Sequence, residues 1–369
     1  MEKVDEAGAA RNRLEEIALL ADRPLRLMEV CGTHTIAIFR TGIKSLLPSK
    51  IELISGPGCP VCITPQKEID RAIAYSRMEN TILATFGDLL RVPGSGSSLY
   101  EEKAEGGDIR VVVSPLDAVK LAQDNFEKRV IFFAVGFETT SPAIACAVRE
   151  AGRLELKNFF IYSSQRLVPP AIRALLSGKK TRIDGFILPG HVSVIIGSHP
   201  YEFIAREYGI PGVITGFDPL DILEGIEMLA RQVKEKRAGI EIQYRRVVKP
   251  EGNALALKVM EDMFKPARAS WRGLGEIPES GLFLREELSG RDAARVFPLQ
   301  LPDPGEPPGC RCGEVLQGLI RPPECALFSR ACTPDQPVGP CMVSSEGTCA
   351  AYYKYGRTSK NPGFKNEKD

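Results

Sequence analysis

The fold class this sequence predicts is α/β with largely parallel sheets. Three observations predict it: short apolar runs alternate with segments of helical spacing, loops bearing Gly, Cys and His follow those runs directly, and a cysteine-rich stretch closes the chain. Such alternation argues βαβ units, whose strand ends leave loops free for a site. At 369 residues the chain exceeds a single domain of about 100–200 residues, so two or three cores are expected.

The charged start predicts a helix over residues 6–21. Strands follow at Arg26–Val30, Ile51–Ser55, Thr81–Phe86, Arg110–Val113, Val130–Val135, Phe159–Ser163, Gly185–Leu188 and Gly212–Thr215, with helical spacing in intervening segments such as 63–77 and 141–155. These strands suit one large sheet or two smaller ones. The polar, Gly- and Ser-rich stretch 91–108 reads as a loop, which places α/β domains at 25–108 and 109–240. From about residue 245 the character changes. One helix is expected after 244–253, and then prolines between 297 and 308 prohibit regular structure. The third domain is expected at 245–369, with the N-terminal helix, 1–24, packed on it. A segment so poor in apolar runs needs a staple, and its cysteines point to a metal centre. The tail, 358–369, is expected to fray.

Lys and Arg number 48 against 47 Asp and Glu, which removes the basic footprint of a nucleic-acid or membrane-surface binder. No apolar run approaches the roughly 18–20 residues of a membrane span, and no signal-peptide core stands at the start. A cytoplasmic protein is expected. In that reducing compartment its ten cysteines favour metal or redox work over disulfides.

Four predicted strands run straight into unusual loops: Cys31-Gly-Thr-His34-Thr, Gly56-Pro-Gly-Cys59-Pro-Val-Cys62, Gly136-Phe-Glu138-Thr139-Thr140 and Pro189-Gly-His191-Val. Ligands bind outside the carboxyl ends of parallel strands, so these loops are placed to converge. Cys59 and Cys62 form a CxxC, suited to dithiol–disulfide cycling or to half of a zinc site. Cys31 with His34 suits a soft metal or a nucleophile pair, or is a buried thiol beside a bonded imidazole. His191 is a supplementary ligand or proton donor, and His199 a structural residue. Glu138, Thr139 and Thr140 either receive an anionic group at a helix start or simply cap it. Cys146 is a small core residue. The cluster Cys310, Cys312, Cys325, Cys332, Cys341 and Cys349 lacks ferredoxin and zinc-ribbon spacing, so spacing alone leaves iron–sulfur and zinc both open.

Taken together, CGTHT, GPGCPVC, GFETT, PGHVS and the ending CTPDQPVGPCMVSSEGTCAAYYKYG resemble the HypD family of hydrogenase maturation factors over essentially the whole chain. That resemblance implies two similar α/β domains facing a cleft, and a third carrying a 4Fe–4S cluster. It implies a scaffold for the Fe(CN)2CO unit of NiFe hydrogenases, a monomer within a hetero-complex, with a HypC-like chaperone and a HypE-like cyanide donor as partners. It puts the iron anchor on Cys31, with His34 beside it, and the redox thiols on Cys59 and Cys62. The family's C-x14-C-x6-C-x16-C pattern selects Cys310, Cys325, Cys332 and Cys349 as cluster ligands, leaving Cys312 and Cys341 without a role. An electron path from cluster to dithiol is expected, with Glu138, Thr139, Thr140 and His191 lining the cleft. A stand-alone iron–sulfur protein-disulfide reductase is the alternative.

Overall fold

The computed structural model describes residues 6–178 and 181–356; the tail expected to fray lies outside them. Eleven strands occur among the described residues: β1 (Leu25–Glu29), β2 (Ile51–Ser55), β3 (Thr81–Thr85), β4 (Ile109–Val111), β5 (Arg129–Gly136), β6 (Phe159–Arg166), β7 (Gly185–Pro189), β8 (Gly212–Thr215), β9 (Ile240–Ile242), β10 (Phe264–Trp271) and β11 (Gly275–Leu284). The fold is α/β. One sheet has the order β2-β1-β7-β8-β9 and the other β10-β11-β6-β5-β3-β4. The first is parallel throughout. The second is parallel from β4 to β6 and ends in the antiparallel strands β11 and β10.

All eight expected strands form, but sheet membership does not follow the expected segments 25–108 and 109–240. β3 pairs with β5, and β1 pairs with β7 across most of the chain. Parallel neighbours need long crossovers, so sequence proximity does not dictate pairing. Two further departures come from residues 91–108 and 264–284. The first includes a helix, Leu99–Ala104, capped by the Ser98 hydroxyl accepting from the Glu101 amide. The second is a hairpin within the expected third domain, and it extends the second sheet.

The N-terminal helix Glu6–Leu20 packs on the helix Pro219–Lys234 instead of on the C-terminal segment. Ile17 and Leu20 enter a core with Ile222, Ile226 and Leu229, and Arg13 pairs with Glu227 at 2.5 Å. Burying two such aliphatic side chains contributes about 1.5–3 kcal/mol each, which decides its position.

The cysteine-rich segment folds as short helices, Cys312–Leu316, Pro340–Val343 and Thr348–Tyr355, joined by turns. It shares one core with both sheets: Cys312, Cys332, Cys341 and Cys349 are buried with Val30, Cys59, Cys62 and Phe137. Two buried arginines tie this core together. Arg166 pairs with Glu68 and donates to the Ser270 carbonyl. Arg272 donates to the Thr64 carbonyl at 3.0 Å and to Glu306 at 2.6 Å. Among the described residues no helix is long and apolar enough to cross a membrane.

Candidate functional site

Strand β1 ends at Glu29, and Cys31 is the N-cap of the helix Gly32–Arg40. The loop carrying Cys59 closes over it. Gly32 N–H donates to the Gly58 carbonyl at 2.9 Å, and a Cβ on Gly58 would stand 2.1 Å from the Cys31 nitrogen, so only glycine permits this approach. From the C-terminal segment Glu346 reaches the same helix start, accepting from the Thr33 hydroxyl at 2.7 Å. Cys31 is buried, and burial above all pushes its thiol up to about 12; amides of His34 and Thr33 point at the sulfur and act in the opposite sense. A thiol so placed holds its proton until a metal displaces it, and meets a soft cation with preset dipoles. Glu29 accepts from the Thr35 hydroxyl at 2.6 Å and the Cys31 amide at 3.3 Å, and burial raises it to about 8.

His34 is fully buried. Its Nε2 meets the Gly216 carbonyl at 2.9 Å and the Thr215 hydroxyl at 2.8 Å. The carbonyl requires Nε2 to carry the proton, which leaves Nδ1 a lone-pair acceptor without a partner among the described residues. Burial lowers the ring to about 4. Phe217 stacks against His34 at 4.6 Å and His191 at 4.0 Å between ring centroids, so the loop after β8 sets both imidazoles. His191 is exposed, and partial burial lowers it. Glu138 is 2 % exposed; one carboxylate oxygen accepts from the Val168 amide at 2.9 Å, and the other has no partner among the described residues. Burial raises it to about 7. Thr139 is exposed. Thr140 occupies the N-cap of the helix Ser141–Arg153 without capping it, its hydroxyl donating back to the Phe137 carbonyl at 3.1 Å. Thr139 and Thr140 line a cavity of about 250 Å³ with Pro60, Asp88, Ser344 and Glu346. Loops of both sheets and the C-terminal segment therefore meet there, as the strand ends predict.

Cys59 caps the four-residue helix Pro60–Ile63, its sulfur accepting from the Cys62 amide at 3.3 Å, and its thiol donates to the Ser344 hydroxyl at 3.3 Å. The helical stretch expected over 63–77 begins only at Gln66, with Pro65 at its N-cap separating it from this short helix. Cys62 contacts both Cys59 and Cys341, and with burial these neighbours raise its thiol. Cys341 is lowered, because the thiols of Cys312, Cys349 and Cys62 all donate to it; Cys349 is raised by Cys312, Cys341 and burial. Cys310 is raised chiefly by its contact with Cys312. Gly339 leaves room for this pair, since a Cβ there would lie 2.6 Å from the Cys310 sulfur and 2.7 Å from that of Cys312. Cys332 feels both sulfurs and accepts from the Val338 amide at 3.3 Å. Cys325 is part-buried in the same core and sits beside Arg311. All ten cysteines are free thiols. Among the described residues no three of His, Cys, Asp and Glu converge as a single-ion site requires; the sulfurs of Cys312, Cys341 and Cys349 touch one another, with Cys62 on Cys341 and Cys310 on Cys312.

Of the expected residues, Cys31, His34, Cys59, Cys62, Glu138, Thr139, Thr140 and His191 come together around the strand ends. The six C-terminal cysteines approach them from one side. Cys146 lies part-buried in its helix, 3.9 Å from the Arg149 guanidinium, and His199 is exposed at a short 3-10 turn. Sequence reasoning missed Glu29, Thr215, Phe217, Ser344 and Glu346, and assigned nothing to Cys312 and Cys341. A signal for Phe217 existed: Thr215-Gly-Phe217 is another loop directly after a strand.

The family model for HypD, described as "Hydrogenase formation hypA family", matches residues 8–356. The chain is 47 % identical over 359 residues to the hydrogenase maturation factor HypD of Rhodobacter capsulatus, covering 94 % of this chain and 95 % of that one. It is 48 % identical over 369 residues to the hydrogenase expression/formation protein HupD of Azotobacter chroococcum, covering 97 % of each. With HypD of Escherichia coli the identity is 45 % over 349 residues, covering 94 % and 93 %. A match of this extent, on a chain whose motif residues meet at one site, shows that the protein belongs to the HypD family of hydrogenase maturation factors.

Proposed function

We propose that this chain is the scaffold on which the Fe(CN)2CO unit is assembled, with a HypC-like chaperone and a HypE-like cyanide donor as partners. The observation that carries the reading is Cys31: one buried thiol at a helix start, with backbone amides aimed at its sulfur. Iron is the cargo. Its binding would displace the Cys31 proton toward the Glu346 carboxylate, which lies within electrostatic reach of the sulfur, and the Thr33 and His34 amides favour the resulting thiolate.

The thiol-only donor set fits a resident 4Fe–4S cluster, with Cys310, Cys325, Cys332 and Cys349 as its ligands. Such a cluster supplies electrons at low potential when bound. The Cys59/Cys62 pair would store two electrons and two protons in its dithiol form. Cys341, in contact with Cys62 and with Cys312 and Cys349, extends the line of thiols into the C-terminal segment. A general protein-disulfide reductase is disfavoured by burial, because Cys59 is 3 % exposed and Cys62 is not exposed at all.

Anaerobic isolation with a HypC-like partner tests this. Cyanide and carbonyl stretches in the infrared, with iron–sulfur absorbance, are expected. A colourless protein without those stretches contradicts the reading, and reduction of generic protein disulfides by the isolated chain would favour the reductase.

A further inference from the structure

A cavity of about 700 Å³ opens between β2 and the C-terminal segment, within the roughly 300–1,000 Å³ of small-molecule sites. None of its lining residues belongs to the loops that carry Cys31, Cys59, Glu138 or His191. Its chemistry begins at a turn. Gly42, with φ of +75°, separates the helix Gly32–Arg40 from the short helix Ile43–Leu46, and Lys44 comes back over the ring of Phe39, 4.9 Å from the centroid. Tyr352, from the helix Thr348–Tyr355, closes the other side. Its ring centroid lies 4.5 Å from the Lys44 nitrogen and 4.5 Å from that of Phe39, and its hydroxyl accepts from that nitrogen at 2.5 Å. Burial raises the Tyr352 phenol to about 12, so it keeps its own proton to donate.

Among the described residues Lys44 has no carboxylate partner; Glu29 and Glu52 act on it only at longer range, and burial above all, then Arg321, lowers the ammonium to about 8. Two guanidiniums line the same cavity: Arg26 and Arg321 pair with one carboxylate, Glu52, at 2.9 and 2.7 Å. The other lining carboxylate, Glu324, accepts from the Arg321 backbone amide at 2.6 Å. Three cations thus face two carboxylates, an excess of one positive charge. A half-buried ammonium without a counter-charge is unfavourable, and an anion beside it offsets the loss of water. The remaining wall is apolar, with Ile54, Val315, Leu319 and Pro322.

We propose that this cavity binds a small organic anion, its carboxylate or phosphate group held by Lys44 and the Tyr352 hydroxyl and its apolar body laid against Ile54 and Leu319. The occupant bridges the helix that begins beside Cys31 and the helix that carries Cys349, so it fastens the C-terminal segment to the first sheet.

The test uses the full-length protein, isolated anaerobically, with benzoate, phenyl phosphate and inorganic phosphate as probes against sodium chloride at equal ionic strength. A saturable rise in melting temperature is expected with benzoate or phenyl phosphate, larger than with inorganic phosphate, and the more effective of the two tells a carboxylate ligand from a phosphate one. Lys44→Gln should bind that probe about tenfold more weakly or worse, and Lys44→Arg should retain most of the affinity. Hydrogen exchange in Gly32–Arg40 and Thr348–Tyr355 should slow on binding. No rise beyond that with sodium chloride overturns the proposal, and so does a rise with inorganic phosphate as large as with either aromatic probe. Equal binding to Lys44→Gln, or protection confined to other parts of the chain, also overturns it. Should Lys44→Gln fail to fold, the place of the hydrogen-exchange protection in the unaltered protein decides alone.

Discussion

The two thiol regions of this molecule are built on opposite plans. Around Cys31 there is one sulfur, with backbone amides, the carboxyls of Glu29 and Glu346 and the buried imidazole of His34 as its polar surroundings. From Cys59 through Cys62, Cys341 and Cys312 to Cys349 there are sulfurs whose principal polar neighbours are other sulfurs. The first arrangement suits holding: preset dipoles stabilise one thiolate, and acceptors wait for its proton. The second suits passing on, because thiol–disulfide exchange proceeds by attack of one sulfur on the next and needs contact between them. On the proposed reading one chain would separate retention of a metal from movement of electron pairs, and would join the two where Gly58 meets Cys31.

The largest effect is expected at that junction. Gly58→Ala would place its Cβ 2.1 Å from the Cys31 nitrogen and 2.4 Å from the Val30 carbonyl carbon. Backbone cannot yield as a side-chain tip does, so stability should fall by about 3 kcal/mol or more. Denaturant titration measures it. An undiminished midpoint would show that the loops are not locked together.

Cutting the thiol line tests the other plan. In Cys341→Ala, mild oxidation followed by peptide mass mapping should keep the Cys59–Cys62 disulfide and lose the one that includes Cys341, which the unaltered chain gives. Identical disulfide maps would break the contrast between the regions.

Glu138 sharpens it through pH. Its carboxyl titrates near the ordinary 4.5 in the unfolded chain and at about 7 when folded. Between those values the unfolded chain releases a proton that the native state keeps, so stability declines as pH rises from about 4.5 to 7 and is level above. The total is about 3 kcal/mol. Glu138→Gln should lose this decline, read from urea midpoints of the two proteins across that range. Parallel curves would contradict the burial argument.

The smallest effect is expected from Phe217→Leu, which removes the ring between His34 and His191. A loss of about 1 kcal/mol beyond the change in buried area is expected, together with a changed His191 chemical-shift titration. An unaltered His191 titration would show that the stack does not set the imidazole.

Much of this architecture was legible in the sequence because its signals are local. β2 and β8 match the expected strands residue for residue, and buried parallel strands read as apolar runs. The hairpin β10–β11 was not legible: Pro266 and Pro278 interrupt it, a register shift falls between Ala267 and Ala269, and its burial is uneven. The site divides in the same way. Cys31, His34, Cys59 and Cys62 announce themselves by spacing at strand ends, whereas Glu29 looks like any polar end of a strand. Cys341 acquires meaning only from contacts made across almost the whole chain. Glu346 likewise sits on Thr33 through tertiary packing alone.

The central claim is that Cys31 holds the cargo while the thiol line does not. The measurement that meets it most directly is infrared spectroscopy with iron analysis on Cys31→Ala, isolated anaerobically with its partner. Loss of the cyanide and carbonyl bands with the iron–sulfur absorbance retained is the predicted result. Bands persisting at the intensity of the unaltered protein would contradict it.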